Sequence, residues 1–531
     1  MGVEKEIEEV SIERLTEVVK KQFHRILRSN PKGWKLSKEE RIRFEASKIT
    51  IRNALKDCGY GDEGARVFIQ NYMMEFVQKY GGINPNTIEK TIPFEHPSDM
   101  EFRTRFLILL WIRKKEAGKQ ALSALIEEYQ WNQAKYEGED AIYEVSIQDI
   151  DRAFYKEYRV LSYEEKLKIL VQRIYEDYLG FGIIDRLLWM HLDGISSGVS
   201  KKGRTVWIFY HGTTFYFSCL TFKHEKEMIR VAKNLYRYEN TGQLSQVKGY
   251  VTGTRKDGSR IVVMRPPFSE SWAFFIRKFD IAKQLELEEI LRRDREQAVY
   301  KTIKWIVKGC QVVGITGNQG SGKTTLLMAM VKFIPFVYTI RVQELTFELQ
   351  LRERYPERNI LSLRETESIQ GQEALDLLKK TDGTVTILGE VATHEVASWL
   401  IQVAQTASLF TMFTHHAKTT KALVEGLRNA LLKEGGFQNE KIALEQVLAS
   451  VRFDIHMEKT REGERYVERI TEIVPIDQNG NAFYRELIVW ENGTYVWKNA
   501  LSKEVRQAIL KNLTVKEKQQ FLADMGAWYE N

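Results

Sequence analysis

The run Gly317-Asn318-Gln319-Gly320-Ser321-Gly322-Lys323-Thr324 satisfies G-x-x-x-x-G-K-[ST] at every fixed position. Glycines at 317, 320 and 322 let the backbone curl, so that successive N–H groups converge on one anion. Lys323 brings a point charge to the β- and γ-oxygens of a triphosphate, and Thr324 offers a hydroxyl to Mg²⁺. With Thr325, which follows directly, residues 317–325 form the expected binding set for ATP and Mg²⁺. The flanks agree. Gln311-Val312-Val313-Gly314-Ile315-Thr316 reads as a buried strand, and Thr325 to Val331 as a helix that stops near Pro335. Strand, glycine loop and helix in that order turn a pattern match into a credible phosphate site.

Hydrolysis needs a carboxylate near that loop, to hold Mg²⁺ or to position the attacking water. The apolar run Thr384-Val385-Thr386-Ile387-Leu388-Gly389 delivers Glu390 at its C-terminal end, the edge where ligands sit in open α/β sheets. Glu390 is therefore a candidate for both catalysis and the metal, alongside Thr324. Glu344 and Glu348, four apart after a strand, are further candidates to orient water or Mg²⁺. A third apolar run, Leu409 to Thr414, ends in His415-His416. Neighbours on a strand point to opposite faces, so the two histidines are not expected to share one metal ion. A γ-phosphate sensor or a hydrogen-bonding switch fits better.

These residues must be held by a sheet. Apolar runs at 312–316, 336–340, 385–389 and 409–414 alternate with helical segments, which predicts a mostly parallel sheet flanked by helices. Residues 1 to about 155 read as helical and highly charged. From about Leu161 the pattern becomes a small α+β domain. It has strands near 205–210 and 214–219, a helix from about His224 to Tyr238, and a hairpin turning at Asp257-Gly258. Charged helical segments from about Leu285 to Val307 lead into the nucleotide domain. A β-rich stretch and two helices close the chain. The expected divisions are 1–155, a helical accessory region; 156–295, an α+β domain; 296–475, the P-loop domain; and 476–531, a C-terminal extension.

The chain has 531 residues, a formal net charge of +7 and three widely spaced cysteines, Cys58, Cys219 and Cys310. No zinc module or disulfide framework is expected from that spacing. The basic balance suits anionic surfaces in general. The longest N-terminal apolar run, Phe106 to Ile112, is far short of the ~20 residues needed to cross a bilayer. The expected location is the cytoplasm, peripheral at the membrane.

Together these segments resemble the traffic ATPases of type II and type IV secretion and type IV pili, and most of all the CpaF-like branch of tight-adherence pili. Tyr178-Leu179-Gly180-Phe181-Gly182-Ile183-Ile184-Asp185-Arg186-Leu187-Leu188 is similar to the start of that branch's N-terminal domain. The stretch Asp257-Gly258-Ser259-Arg260-Ile261, Pro266-Pro267, Phe275-Ile276-Arg277-Lys278-Phe279 is similar to its "G-S-R … P-P … I-R-K-F". Thr414-His415-His416-Ala417 resembles the His box, and Glu348-Leu349-Gln350-Leu351 the end of the Asp box. The likeness covers roughly Leu161 to Pro475.

The resemblance implies a RecA-like ATPase domain hinged to an N-terminal domain, a homo-hexameric ring, and an inner-membrane platform protein as partner. It implies that Arg260 and Arg277 reach the phosphates of their own or a neighbouring subunit, and that His416 is the family histidine. The chain departs from the family at Leu345, where an Asp is usual, at Ala392, where an Arg is usual, and at Gln405-Thr406-Ala407-Ser408, where glycines are usual. Two other readings follow. One is a conjugation-linked ATPase acting near DNA, which the positive charge permits. The other is a nucleotide-gated scaffold with little turnover, which the departures suggest.

Overall fold

The computed structural model describes residues 11–526, apart from 30–36, 138–139, 201–202, 239–241, 243, 280–285, 295–296, 367–368, 370, 407, 461–462 and 476–482. Two compact units divide the chain, Met1–Asp280 and Ile281–Asn531.

The first unit sets helices α1 (Ile12–Arg28), α2 (Lys38–Gly59), α3 (Glu63–Lys79), α4 (Phe102–Ala117), α5 (Ala121–Glu128), α6 (Ile147–Glu157), α7 (Tyr163–Tyr178) and α8 (Glu225–Leu235) around a sheet. Its strands are β3 (Glu144–Val145), β4 (Gly194–Ser197), β5 (Thr205–Tyr210), β6 (Thr213–Thr221), β7 (Tyr250–Thr254), β8 (Arg260–Met264) and β9 (Ala273–Arg277). They lie in the order β3-β6-β5-β4-β9-β8-β7. A separate ribbon pairs β1 (Lys135–Glu137) with β2 (Asp140–Ile142). Ser37, Ser146 and Ser162 each close a capping box at the start of α2, α6 and α7, satisfying first-turn N–H groups that a helix cannot satisfy itself. Helices and sheet share one core: the ring of Phe106 on α4 lies 5.4 Å from that of Phe217 on β6.

The region up to residue 155 is not wholly helical, since β1, β2 and β3 fall within it. Strand β3 is only two residues long and becomes a strand by pairing in parallel with β6, Glu144 opposite Tyr216. A partner 72 positions away leaves no local signal.

The second unit holds α9 (Leu287–Ile290), α10 (Ala298–Lys308), β10 (Val313–Gly317), α11 (Lys323–Met330), β11 (Ile340–Glu344), α12 (Leu351–Arg354), β12 (Ile360–Arg364), α13 (Gly371–Leu378), β13 (Val385–Leu388), α14 (His394–Thr406), β14 (Phe410–His415), α15 (Thr420–Glu434) and α16 (Glu440–Ser450). Strands β15 (Phe453–Lys459), β16 (Arg465–Val474), β17 (Phe483–Glu491) and β18 (Thr494–Trp497) and helices α17 (Lys503–Asn512) and α18 (Val515–Met525) follow. Nine strands form one sheet in the order β12-β11-β13-β14-β10-β15-β16-β17-β18. The first six run parallel and the last three antiparallel. Every residue of β10, β11 and β13 is buried, as expected of parallel strands covered on both faces. This is the RecA-like α/β arrangement, and it puts the C-terminal ends of β10, β14, β13 and β11 along one edge.

The strand expected at 336–340 instead spans Ile340–Glu344. After Pro335 the chain turns, with Tyr338 N–H donating to the Pro335 carbonyl, and Phe336 and Val337 are 68% and 81% exposed. Apolar residue types there mimic a strand that the proline turn forbids. The segment 285–307 is likewise interrupted, with Gln297 at φ 57° before α10. Among the described residues no helix is long and apolar enough to cross a membrane.

Candidate nucleotide site

Strand β10 ends in the glycine loop, and α11 begins at Lys323. Gly317 has φ +138°, and a Cβ there would lie 2.2 Å from the Met457 carbonyl on the neighbouring strand β15. Only glycine lets the loop leave the sheet at this point. At Gly322 φ is +98°, which starts the helix with its first-turn N–H groups facing the loop. Those groups, together with the helix dipole, favour an anion. A Cβ on Gly320 would meet open space, and Ser321 Oγ is buried without a hydrogen bond among the described residues. A phosphate fits this cradle. Asn318, Gln319, Thr324 and Thr325 complete it in sequence. Thr324 and Thr325 are half-buried in the first turn of α11.

Lys323 is 6% exposed. Its Nζ donates to the carbonyls of Gly317 and Asn318, both at 2.9 Å, and lies 3.3 Å from His416 Nδ1. On its other side, His416 Nε2 lies 3.0 Å from Glu390 Oε1. A lysine ammonium has only donors, so His416 Nδ1 accepts and Nε2 carries the hydrogen toward Glu390. Strand order explains the chain. Strand β14 lies between β10 and β13, so the residue just past its end stands between the loop and the acidic tip. Thr414 Oγ1 donates to the Gly389 carbonyl at 2.6 Å, and Val391 N–H donates to the Thr414 carbonyl. These two bonds fix the turn that carries Glu390 against β14.

His415 and His416 part as the strand geometry predicts: His416 faces Lys323 and Glu390, and His415 packs toward α15, 3.8 Å from where a Gly426 Cβ would be. Burial pushes the His415 imidazole down to about 4, helped by the nearby Lys323 ammonium. It is neutral at physiological pH.

Glu344, at the end of β11, is 4% exposed. Its Oε1 accepts from the N–H groups of Glu348 and Leu349 at 3.0 and 2.8 Å. A Cβ on Gly389 would lie 2.9 Å from Glu344 Cγ, so this carboxyl sits against the turn that leads to Glu390. Burial pushes its titration up to about 8, against the lowering effect of the Leu349 N–H and with a further rise from the Glu348 charge. The structure therefore brings Glu344 and Glu348 together, with Glu344 predominantly protonated at neutral pH.

Arg260 and Arg277 belong to the first unit. They are directly opposite each other on β8 and β9, and both are exposed. Directly opposed residues share a face, so both side chains leave the sheet on the same side.

Several neighbours of the loop carry no motif. Arg465, at the start of β16, donates through Nε to the Gly320 carbonyl at 2.9 Å. Thr316, Asp454, His456 and Thr420 form a buried polar group beneath the loop. The available signal was the alternation of Asp454 and His456 within the apolar strand Phe453–Met457.

Residues 260–453 match the family described as Type II/IV secretion system protein. No curated protein sequence matches significantly. Among solved structures, the chain is similar to the VirB11 ATPase of the Brucella suis type IV secretion system (19% identity, 52% of this chain, 88% of that chain, TM-score 0.30). It is also similar to the Legionella pneumophila ATPase DotB (14%, 62%, 83%, TM-score 0.38). A third is the pilus retraction motor PilT with bound ADP (16%, 66%, 92%, TM-score 0.39). The matched segment spans the loop, Glu390 and His416, and this is the family the chain's central region resembles in sequence.

Proposed function

We propose that the protein is an ATP-driven motor of a pilus-assembly or secretion system, working as a homo-hexamer at the inner face of the membrane and passing its motion to a platform protein. It is an ATP-hydrolysing enzyme. One observation carries the reading: the unbroken line Gly317 carbonyl, Lys323, His416, Glu390 at the mouth of the loop.

The Lys323 ammonium donates to the Gly317 and Asn318 carbonyls and stands 3.3 Å from His416 Nδ1. A γ-phosphate that takes one of these donors changes what His416 Nδ1 can accept from. Through Nε2 that change reaches Glu390. His416 is thus read as the sensor of the terminal phosphate and Glu390 as the group that positions water. Mg²⁺, held by Thr324 and Glu390, would screen the charge between β- and γ-oxygens. Arg260 and Arg277 are read as the cationic partners of the phosphates, from their own or a neighbouring subunit. Residues 296–475 are the working ATPase, 156–295 the domain moved against it, and 1–155 and 476–531 accessory parts. Loss of the terminal phosphate then reopens two lobes, a hinge motion driven by a nucleotide switch.

Phosphate release from Mg²⁺-ATP by the purified chain, abolished in Lys323→Ala, tests the enzymatic part; equal release by both proteins overturns it. Native mass with and without nucleotide tests the ring. Leu345 and Ala392, where the resembled family has Asp and Arg, motivate a second reading, a nucleotide-gated scaffold with slow turnover, which tight ATP binding without phosphate release would select.

A further inference from the structure

The turn that carries His416 is fastened at both ends, and the second fastening runs through a residue with no assigned role. At its start, Thr414 is bonded to Gly389. At its end is Thr420, the first residue of α15. Thr420 Oγ1 donates to Asp454 Oδ2 at 2.6 Å, and Asp454 Oδ1 accepts from Thr316 Oγ1, also at 2.6 Å. Thr316 immediately precedes Gly317. One fully buried carboxylate (0% exposed) thus joins the last strand residue before the phosphate loop to the residue that ends the His416 turn.

The hydrogens can be placed. Thr316 has a single hydroxyl hydrogen and gives it to Asp454, so its contact with His456 Nδ1 at 2.8 Å is a bond accepted from a protonated Nδ1. His456 lies opposite Thr316 on β15 and opposite Arg469 on β16. Arg469 in turn donates to the Lys418 carbonyl, inside the His416 turn, at 3.1 Å. The Asp454 link thus ends at Thr420, while His456 Nε2 lies 3.4 Å from Glu458 Oε1. A carboxylate in an apolar sheet is costly unless its oxygens are satisfied, and here each oxygen takes a hydroxyl donor aimed from a different side of the site.

We propose that Asp454 is a positioning residue for ATP hydrolysis: by holding Thr316 and Thr420 together it sets His416 at the height where it bridges Lys323 and Glu390. This rests on the ATPase reading above. Asp454 is fully buried, with its oxygens bonded to Thr316 and Thr420. It acts through the distance between the loop and the His416 turn. An error of an ångström in such a distance is enough to cost about 100-fold in rate.

The experiment compares Asp454→Asn, Thr420→Val and Thr420→Ser with the parent chain in three measurements. For Asp454→Asn and Thr420→Val the expected result is a kcat reduced at least about 10-fold with ADP affinity within about 3-fold, and recovery in Thr420→Ser, which keeps the hydroxyl. In the His416→Ala background, Asp454→Asn should lower kcat no further, because the residue through which it acts is gone; a multiplicative loss overturns the proposal. Hydrogen exchange supplies a readout independent of turnover. Peptides covering 414–422 should exchange faster in Asp454→Asn while the α17–α18 peptides do not change. Unchanged exchange at 414–422 overturns the proposal whether or not the chain hydrolyses ATP. Absence of Lys323-dependent hydrolysis in the parent instead overturns the ATPase reading.

Discussion

His416 Nε2 stands 3.0 Å from Glu390 Oε1, while its Nδ1 stands 3.3 Å from Lys323 Nζ. One imidazole therefore touches both the lysine of the glycine loop and the acidic strand tip, and its tautomer is dictated by the lysine. Only a single ring separates Lys323 from Glu390.

Removing that ring should separate binding from turnover. In His416→Ala, kcat is expected to fall about 100-fold, in the range found for a lost transition-state donor, while ADP affinity changes by less than about 3-fold. Steady-state phosphate release and equilibrium ADP titration measure the two. Asparagine at 416, which keeps a donor but cannot span both partners, should recover little.

Gly317→Ala should fail at the level of the loop. The added methyl would lie 2.2 Å from the Met457 carbonyl in a backbone with φ +138°. Alanine at φ > 0 is strained as well, so a loss of about 2 kcal/mol or more is expected. Nucleotide binding should be lost with it. Denaturant unfolding and ADP titration check this, and Gly320→Ala, which meets open space, serves as the contrast for packing.

Glu344 makes stability depend on pH in a defined direction. Its folded-state titration is raised to about 8 from 4.5, so between those values the folded chain binds a proton that the unfolded chain has lost. Its stabilising contribution is full below about pH 4.5 and disappears as pH rises through about 8, at up to about 1.4 kcal/mol per pH unit. Glu344→Gln removes this titration. The variant should lose less stability than the parent between about pH 6 and about pH 9, as measured by thermal unfolding at each pH.

Arg260 and Arg277 face each other with like charge on an exposed pair of strands, an arrangement that costs stability unless it serves something else. Replacing either with Gln should leave the Tm unchanged or slightly raised. If the pair neutralises phosphate charge, the same change lowers kcat by about 10-fold or more. A lower Tm together with full activity would assign the arginines to structure.

The candidate site was legible in the sequence because it depends on local order. Glycines, Lys323 and Thr324 must be contiguous for a loop to wrap an anion, and Glu390 and His416 were marked by the apolar strands that end just before them. The α/β alternation was legible for the same reason, since strands buried on both faces read as unbroken apolar runs. Where local order misled, a neighbour decided otherwise. The proline turn displaced the strand at 336–340 to Ile340–Glu344, and β3 exists only through β6. Tertiary structure alone decided that β14 inserts between β10 and β13, which makes His416 a bridge, and that Glu344 is buried deeply enough to hold a proton. It alone placed Asp454, 138 positions from Thr316, beneath the loop. Strand order and burial are properties of how distant segments pack, and no spacing along the chain encodes them.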